Sequence, residues 1–203
     1  MTQSKAKRDV VLVDGGGTNI GSVRYALQRL GVDAEMTADA KRIRAASHVI
    51  LPGVGAAGPG MAKLHEAGLG DVLRDLRQPL LGVCLGMQLL YERSAEGDTE
   101  CLGLLPGTAT KFAASDQLRI PHMGWNRLVV ERDDPLLGGL DDEAYAYFVH
   151  SYAAPVGPAT IASTQYGAPF SAIVRQGNVC GMQFHPERSA AVGARLLQNF
   201  LEL

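Results

Sequence analysis

Gln78-Pro79-Leu80-Leu81-Gly82-Val83-Cys84-Leu85-Gly86-Met87-Gln88-Leu89-Leu90-Tyr91 is the stretch on which the fold turns. The apolar run Leu80 to Val83 behind Pro79 has the length of a short buried strand. Leu85, Leu89 and Glu92 then fall at helical spacing, which predicts a helix over 85–93 that follows the strand directly. Cys84 stands at the corner, with Gly82 two residues before it and Gly86 two after. This is the Gly-x-nucleophile-x-Gly elbow with sulfur in place of a serine oxygen. Flanking glycines let two backbones pass closely in a strained turn. Unpaired N–H groups and the positive end of a helix dipole favour thiolate over thiol there. The N–H of Leu85 is placed to meet a developing oxyanion.

The rest of the chain sets the frame. Its 203 residues suffice for one well-buried domain over 1–203, with 1–8 expected to be a flexible tail. A hydrophobic content of 46% with 20% charged residues fits a soluble globular protein and excludes a disordered one. The net charge of -2 is scattered, so neither nucleic acid nor an anionic membrane is an expected partner. No apolar run approaches a membrane span. Three cysteines, Cys84, Cys101 and Cys180, argue against a disulfide framework and for a reducing, cytoplasmic setting.

Outward from the elbow, 9–14 and 48–52 read as buried strands, 33–38 as a second strand and 40–46 as a short helix. A first helix carries Ile20, Val23, Leu27 and Leu30 on one stripe, closed by Gly31. One or two helices are expected over 61–77, broken near Gly68-Leu69-Gly70, and a polar loop over 94–100. Short strands follow at 108–113, 124–131, 145–152, 160–165, 172–175 and 179–184, then a helix over 190–203. The expected fold is an α/β three-layer sandwich, with a mostly parallel central sheet and an antiparallel extension.

Three glycine spacings, in two clusters, invite a nucleotide reading and fail it. Gly15 and Gly17 have Ile20 where a third glycine belongs. Gly16 and Gly21 precede Ser22 where a phosphate-loop lysine must stand. Gly53, Gly55 and Gly58 match G-x-G-x-x-G, but Pro59-Gly60 argues against a helix start there, and the next strand ends in Cys84 instead of a ribose-binding acid. A backbone free to present an N–H to a neighbouring site, or to flip a peptide, is the better use of these glycines.

The strand at 179–184 delivers His185-Pro186-Glu187 at its C-terminal end, the end at which open α/β sheets gather their ligands and where Cys84 also lies. Cysteine, histidine and carboxylate then converge as a triad. His185 moves the proton, and Glu187 fixes the imidazole. The remaining histidines, His48, His65, His122 and His150, show no ligand spacing, and no Pro-Cys-x-x-Cys follows His185, so neither metal nor cofactor is expected.

With Leu51-Pro52-Gly53-Val54-Gly55, the elbow, Pro121-His122-Met123-Gly124-Trp125-Asn126, Tyr147-Phe148-Val149-His150-Ser151-Tyr152 and Gln183-Phe184-His185-Pro186-Glu187-Arg188-Ser189 in view, the sequence resembles the class I glutamine amidotransferases nearly end to end. Within them it is similar to the glutaminase subunits that serve histidine biosynthesis. The resemblance implies catalytic Cys84, His185 and Glu187, an oxyanion hole from Gly53, Val54 and Leu85, and L-glutamine held by Gln88, Ser151 and Tyr152. It implies ammonia transfer to a separate (β/α)8-barrel cyclase subunit, as a heterodimer. That partner makes imidazole glycerol phosphate and aminoimidazole carboxamide ribonucleotide. Asn19, His122, Met123, Trp125 and Asn126 are the implied docking residues. Two other readings compete: a glutaminase serving another synthase, such as that of pyridoxal phosphate, and an inactive regulatory subunit. Pro121 to Asn126 argues against the first, and the intact triad against the second.

Overall fold

The computed structural model describes residues 8–14, 20–113 and 118–203. The chain opens with β1 (Val10–Val13), α1 (Ile20–Arg29), β2 (Glu35–Thr37), α2 (Ala40–Ala45) and β3 (His48–Gly53). Next come α3 (Ala57–Glu66), α4 (Gly70–Arg74), β4 (Leu80–Cys84), α5 (Leu85–Gln88), β5 (Tyr91–Ser94), β6 (Thr99–Glu100) and β7 (Leu105–Lys111). The second half supplies β8 (His122–Arg127), β9 (Val129–Val130), β10 (Tyr145–His150) and β11 (Tyr152–Ala153). It ends with β12 (Thr160–Tyr166), β13 (Ala168–Gln176), β14 (Val179–Met182) and α6 (Ala190–Phe200).

The central sheet has eight strands in the order β2-β1-β3-β4-β14-β13-β12-β9. Its first five strands run parallel, and β13, β12 and β9 add antiparallel. Two smaller sheets, β10-β8 and β11-β7-β5-β6, complete the extension. The α/β fold is therefore the expected one.

A strand covered on both faces needs apolar residues at every position, and β1 shows this directly. Val10 and Leu12 join one core with Val23 and Leu27 of α1 and Leu196, Leu197 and Phe200 of α6. Val11 and Val13 join the other, with Ile43 of α2, Met61 and Leu64 of α3 and Leu73 of α4. Successive side chains of one strand thus feed two cores, which makes the three layers.

Several expectations need correction. The helix after the elbow is a single turn, not the run to Arg93, and 91–94 is strand β5, parallel to β7 and antiparallel to β6. Tyr91 and Ser94 are buried while Glu92 is exposed. Pairing with two neighbours offset the local helical pattern, as tertiary contacts commonly do. The polar loop 94–100 contains a 3₁₀ turn and β6. Helix α3 begins at Ala57, four residues before the expected start, and contains Pro59 and Gly60 in its first turn. Proline is tolerated there because the first-turn N–H groups have no intrahelical acceptor. The strands expected at 124–131 and 145–152 are each split in two, at Leu128 and Ser151. The break near Gly68 falls as expected, between α3 and α4.

Candidate active site

Cys84 ends β4 with φ 54° and ψ -112°, a left-handed conformation that a non-glycine residue adopts only when its surroundings over-determine it. Those surroundings are tight backbone. A Cβ on Gly86 would lie 1.9 Å from the Leu51 carbonyl oxygen, and one on Gly82 would lie 2.6 Å from that of Gly86. Both elbow glycines are therefore required by close approach. With α5 only one turn long, little macrodipole reaches the sulfur. What remains is the set of first-turn N–H groups.

Strands β3 and β14 flank β4 in parallel, with Gly53 in register with Cys84 and Met182 with Val83. The chain leaving β14 therefore brings His185 to the same sheet edge as Cys84. Its turn is fixed from three sides. His185 donates its N–H to the Tyr147 carbonyl at 3.0 Å, Ser189 Oγ donates to the His185 carbonyl at 2.7 Å, and the Tyr147 N–H donates to Ser189 Oγ at 2.9 Å.

His185 Nδ1 lies 3.0 Å from Glu187 Oε1, and both side chains are largely buried. Burial is the largest single influence on His185 and lowers its pKa. Hydrogen bonds to Cys84 and Glu187 and attraction to both together outweigh it, raising the group from 6.5 to about 10. With Nδ1 committed to Glu187, Nε2 is the nitrogen left for the sulfur.

Cys84, His185, Leu85, Val54, Gln88, Ser151 and Tyr152 line one cavity of about 420 Å³. Glu187 stands behind His185, where an orienting residue belongs. Gln88 donates both amide hydrogens inward, to the Tyr152 carbonyl at 2.7 Å and Gln183 Oε1 at 3.0 Å. Its carbonyl oxygen is therefore the atom left to accept from a ligand. Gly53 is constrained in a way the flexible-backbone reading did not anticipate. A Cβ there would meet the Gly86 nitrogen at 2.5 Å, so its glycine is needed for packing. Gly55, at φ +95° with open space around it, is the residue whose conformation demands glycine.

Sequence reading missed Glu96 and Arg188, which bring one charge of each sign to the cavity wall. Glu96 also accepts the Ala57 N–H at 2.8 Å, at the start of α3. Its position arises from the β5–β6 turn, which no local pattern announced. Arg188 adjoins Glu187 in the chain and was legible as a neighbour of the triad.

The expected docking residues separate. Met123 is 63% and Trp125 53% exposed, side by side on the outer face of β8, with the Trp125 and Tyr147 rings 5.9 Å apart. His122 alternates to the inner face and is 3% exposed, so its side chain is not on that surface. Asn126 spends its amide on the Gln165 carbonyl at 2.9 Å and on the Arg127 N–H at 2.9 Å. Asn19, like Gly15, lies outside the described residues. Among the described residues no group of three or more His, Cys, Asp or Glu is placed to hold a metal ion, and no helix is long and apolar enough to cross a membrane.

Three buried histidines give the fold a pH dependence. Burial above all lowers His48, lowers His122 to about 4 and lowers His150 to about 3. Below the unfolded value of 6.5 the unfolded chain binds protons that the folded chain refuses, so stability falls with pH in that range. His185 has the opposite sign. Its contribution is complete below 6.5 and is lost as pH rises through about 10. The urea midpoint is expected to drop between pH 7 and pH 5, a window in which ordinary carboxylates hardly titrate. Replacing His122 and His150 together by Phe is expected to flatten that drop.

Comparison with known proteins agrees with the geometry. The family model for class-I glutamine amidotransferases matches residues 11–203. The imidazole glycerol phosphate synthase subunit HisH of Xanthomonas axonopodis pv. citri is 58% identical over 96% of this chain and 98% of its own. That of Xylella fastidiosa (strain Temecula1) is 55% identical over the same shares. A solved glutamine amidotransferase shares the fold at a TM-score of 0.74 and 24% identity, over 95% of this chain and 97% of that one. A putative GMP synthase subunit from Thermoplasma acidophilum does so at 0.73 and 22%, over 98% and 94%. The elbow cysteine, its paired histidine and the end-to-end likeness therefore lead to one conclusion: the chain belongs to the class-I glutamine amidotransferases, in the branch formed by the HisH subunits of imidazole glycerol phosphate synthase.

Proposed function

We propose that Cys84, His185 and Glu187 hydrolyse glutamine here and that the ammonia passes to a (β/α)8-barrel cyclase in histidine biosynthesis. The observation that carries this is the meeting of Cys84 and His185 in one cavity, with Glu187 3.0 Å behind the imidazole. An imidazole as basic as His185 draws the thiol proton to itself, and the sulfur adds to the side-chain amide carbon. His185 then returns the proton to the leaving nitrogen, so that ammonia departs and a thioester remains. Water, deprotonated by His185, adds to the thioester and releases glutamate with the thiol restored. The N–H groups of Leu85 and Val54 serve the oxyanion. Gln88 accepts from the substrate, Ser151 and Tyr152 present backbone to its α-groups, and Glu96 and Arg188 complement the two charged ends of an amino acid. The exposed Met123 and Trp125 make the docking face. It adjoins the cavity through Pro121 and Val149, which line it, as a path for ammonia requires.

The reading also predicts a nearly silent isolated chain, because free hydrolysis would release ammonia with no acceptor. The Gly53–Val54 peptide can present either the Gly53 carbonyl or the Val54 N–H to the site. A partner that selects the second adds one oxyanion donor. Glutamine hydrolysis should be slow for the chain alone and rise modestly with the cyclase. With the cyclase and its nucleotide ligand it should rise by at least about a hundredfold, the worth of one such donor. Full activity in the isolated chain would overturn the switch, and no activity in any mixture would overturn the function.

A further inference from the structure

Two buried histidines have no part in the chemistry above. His150 and His122 face each other across the β10–β8 pair, in register. His122 stacks on Tyr166 at 4.0 Å and on Phe148 at 5.0 Å. His150 lies among Phe112, Phe148 and Phe170 and belongs to the cavity wall. Each keeps one buried ring nitrogen without a partner, Nδ1 of His122 and Nε2 of His150. Buried polar atoms are nearly always hydrogen-bonded, so two such atoms on facing rings call for an explanation.

Their other nitrogens settle which protons they carry. His150 Nδ1 is 2.9 Å from the Tyr152 carbonyl oxygen, which can only accept, so Nδ1 bears the hydrogen and Nε2 a lone pair. Asn126 is oriented by its bonds to the Gln165 carbonyl and the Arg127 N–H, so its Nδ2 also points a hydrogen at His122 Nε2, 3.4 Å away. His122 Nε2 therefore accepts and Nδ1 carries the hydrogen. The two orphans are a donor and an acceptor. The ring centroids stand 5.4 Å apart with planes at 71°; the two nitrogens do not bond each other in this structure, but a small rotation of either ring would bring the His122 N–H to the His150 lone pair. Burial keeps both rings neutral at ordinary pH, so the pattern is stable there.

We propose that His122 donates to His150, completing a hydrogen-bonded chain from Asn126 through both rings to the Tyr152 carbonyl, and that this chain positions Gln88 for the substrate. The Tyr152 oxygen is the junction, since it accepts from His150 and from Gln88 Nε2. Holding it holds the Gln88 amide, and with it the carbonyl turned to the ligand. Both histidines are positioning residues, and the proposal rests on the reading of this cavity as the glutamine site.

The test is the KM and kcat for glutamine of the complex with the cyclase, for Phe and Asn variants of each histidine. His150→Phe keeps the ring volume and removes the donor. It should raise KM about five- to tenfold, the loss of one neutral hydrogen bond, with kcat changed by less than about twofold. His150→Asn, whose amide N–H falls near the Nδ1 position, should bring KM back toward the original. His122→Phe should raise KM less. The double Phe variant should be no worse than His150→Phe alone, because a chain cut twice is cut once. An unmoved KM in His150→Phe, equal KM for the Phe and Asn variants, or effects that multiply in the double variant would each overturn the proposal. If His150→Phe does not fold, the His122 Phe and Asn pair decides by the same criterion. Failure of the underlying reading looks different: glutamine hydrolysis would persist in Cys84→Ala.

Discussion

Cys84→Ala is expected to abolish glutamine-dependent synthesis by the complex with the cyclase while ammonia-dependent synthesis stays near normal. The first result follows from removing the sulfur, which leaves the elbow without a nucleophile beside His185. The second follows because alanine at Cys84 removes one atom and leaves the β4 register and the docking face alone. Loss of both activities together would assign Cys84 to folding or docking instead. A glutamine-like alkylating agent should label Cys84 alone. Burial pushes Cys101 up to about 11 and Cys180 up to about 12, so both remain thiols near neutral pH and react slowly. Labelling of either in the folded complex would count against the elbow.

His185→Ala and Glu187→Gln are expected to differ in size because the proposed mechanism gives the two residues different work. Loss of the proton carrier in a comparable triad costs on the order of 10⁶ in turnover, and loss of the orienting carboxylate about 10⁴, and the same ranking is expected here. Glu187→Gln retains an oxygen able to accept from His185 Nδ1 but removes a charge that helps to raise the imidazole. The His185 pKa should therefore fall in that variant, which titration of its ring signals by NMR would read directly. Equal losses of turnover with an unshifted imidazole would give Glu187 some part other than orientation.

The triad and the parallel half of the sheet were legible because their signals are local. A strand buried on both faces must be apolar throughout, as in Val10 to Val13 and Leu80 to Val83, and an elbow needs small residues at fixed offsets from its nucleophile. The length of α5 was not legible in this way. Leu85, Leu89 and Glu92 keep helical spacing, yet β7 and β6 claim 91–94 as strand through pairings with residues up to 15 positions away, as Ser94 with Ala109. Glu96 came to the cavity by the same route, on a turn that exists only because β5 and β6 pair.

His122 shows the division most plainly. Its place in Pro121 to Asn126, between polar and exposed neighbours, suggested a surface. Strand alternation turned it inward against Phe148 and Tyr166, and left Met123 and Trp125 outside. By itself the sequence determined the class of fold and singled out Cys84, His185 and Glu187 as the residues to bring together, because apolar period and glycine offsets act over a few residues. The tertiary structure alone decided which polar groups face the cavity, which histidines are held neutral, and where the amide of Gln88 points. Each of those depends on partners such as Tyr152 and Gln183, dozens of residues distant, which only the packed sheet brings within hydrogen-bonding range.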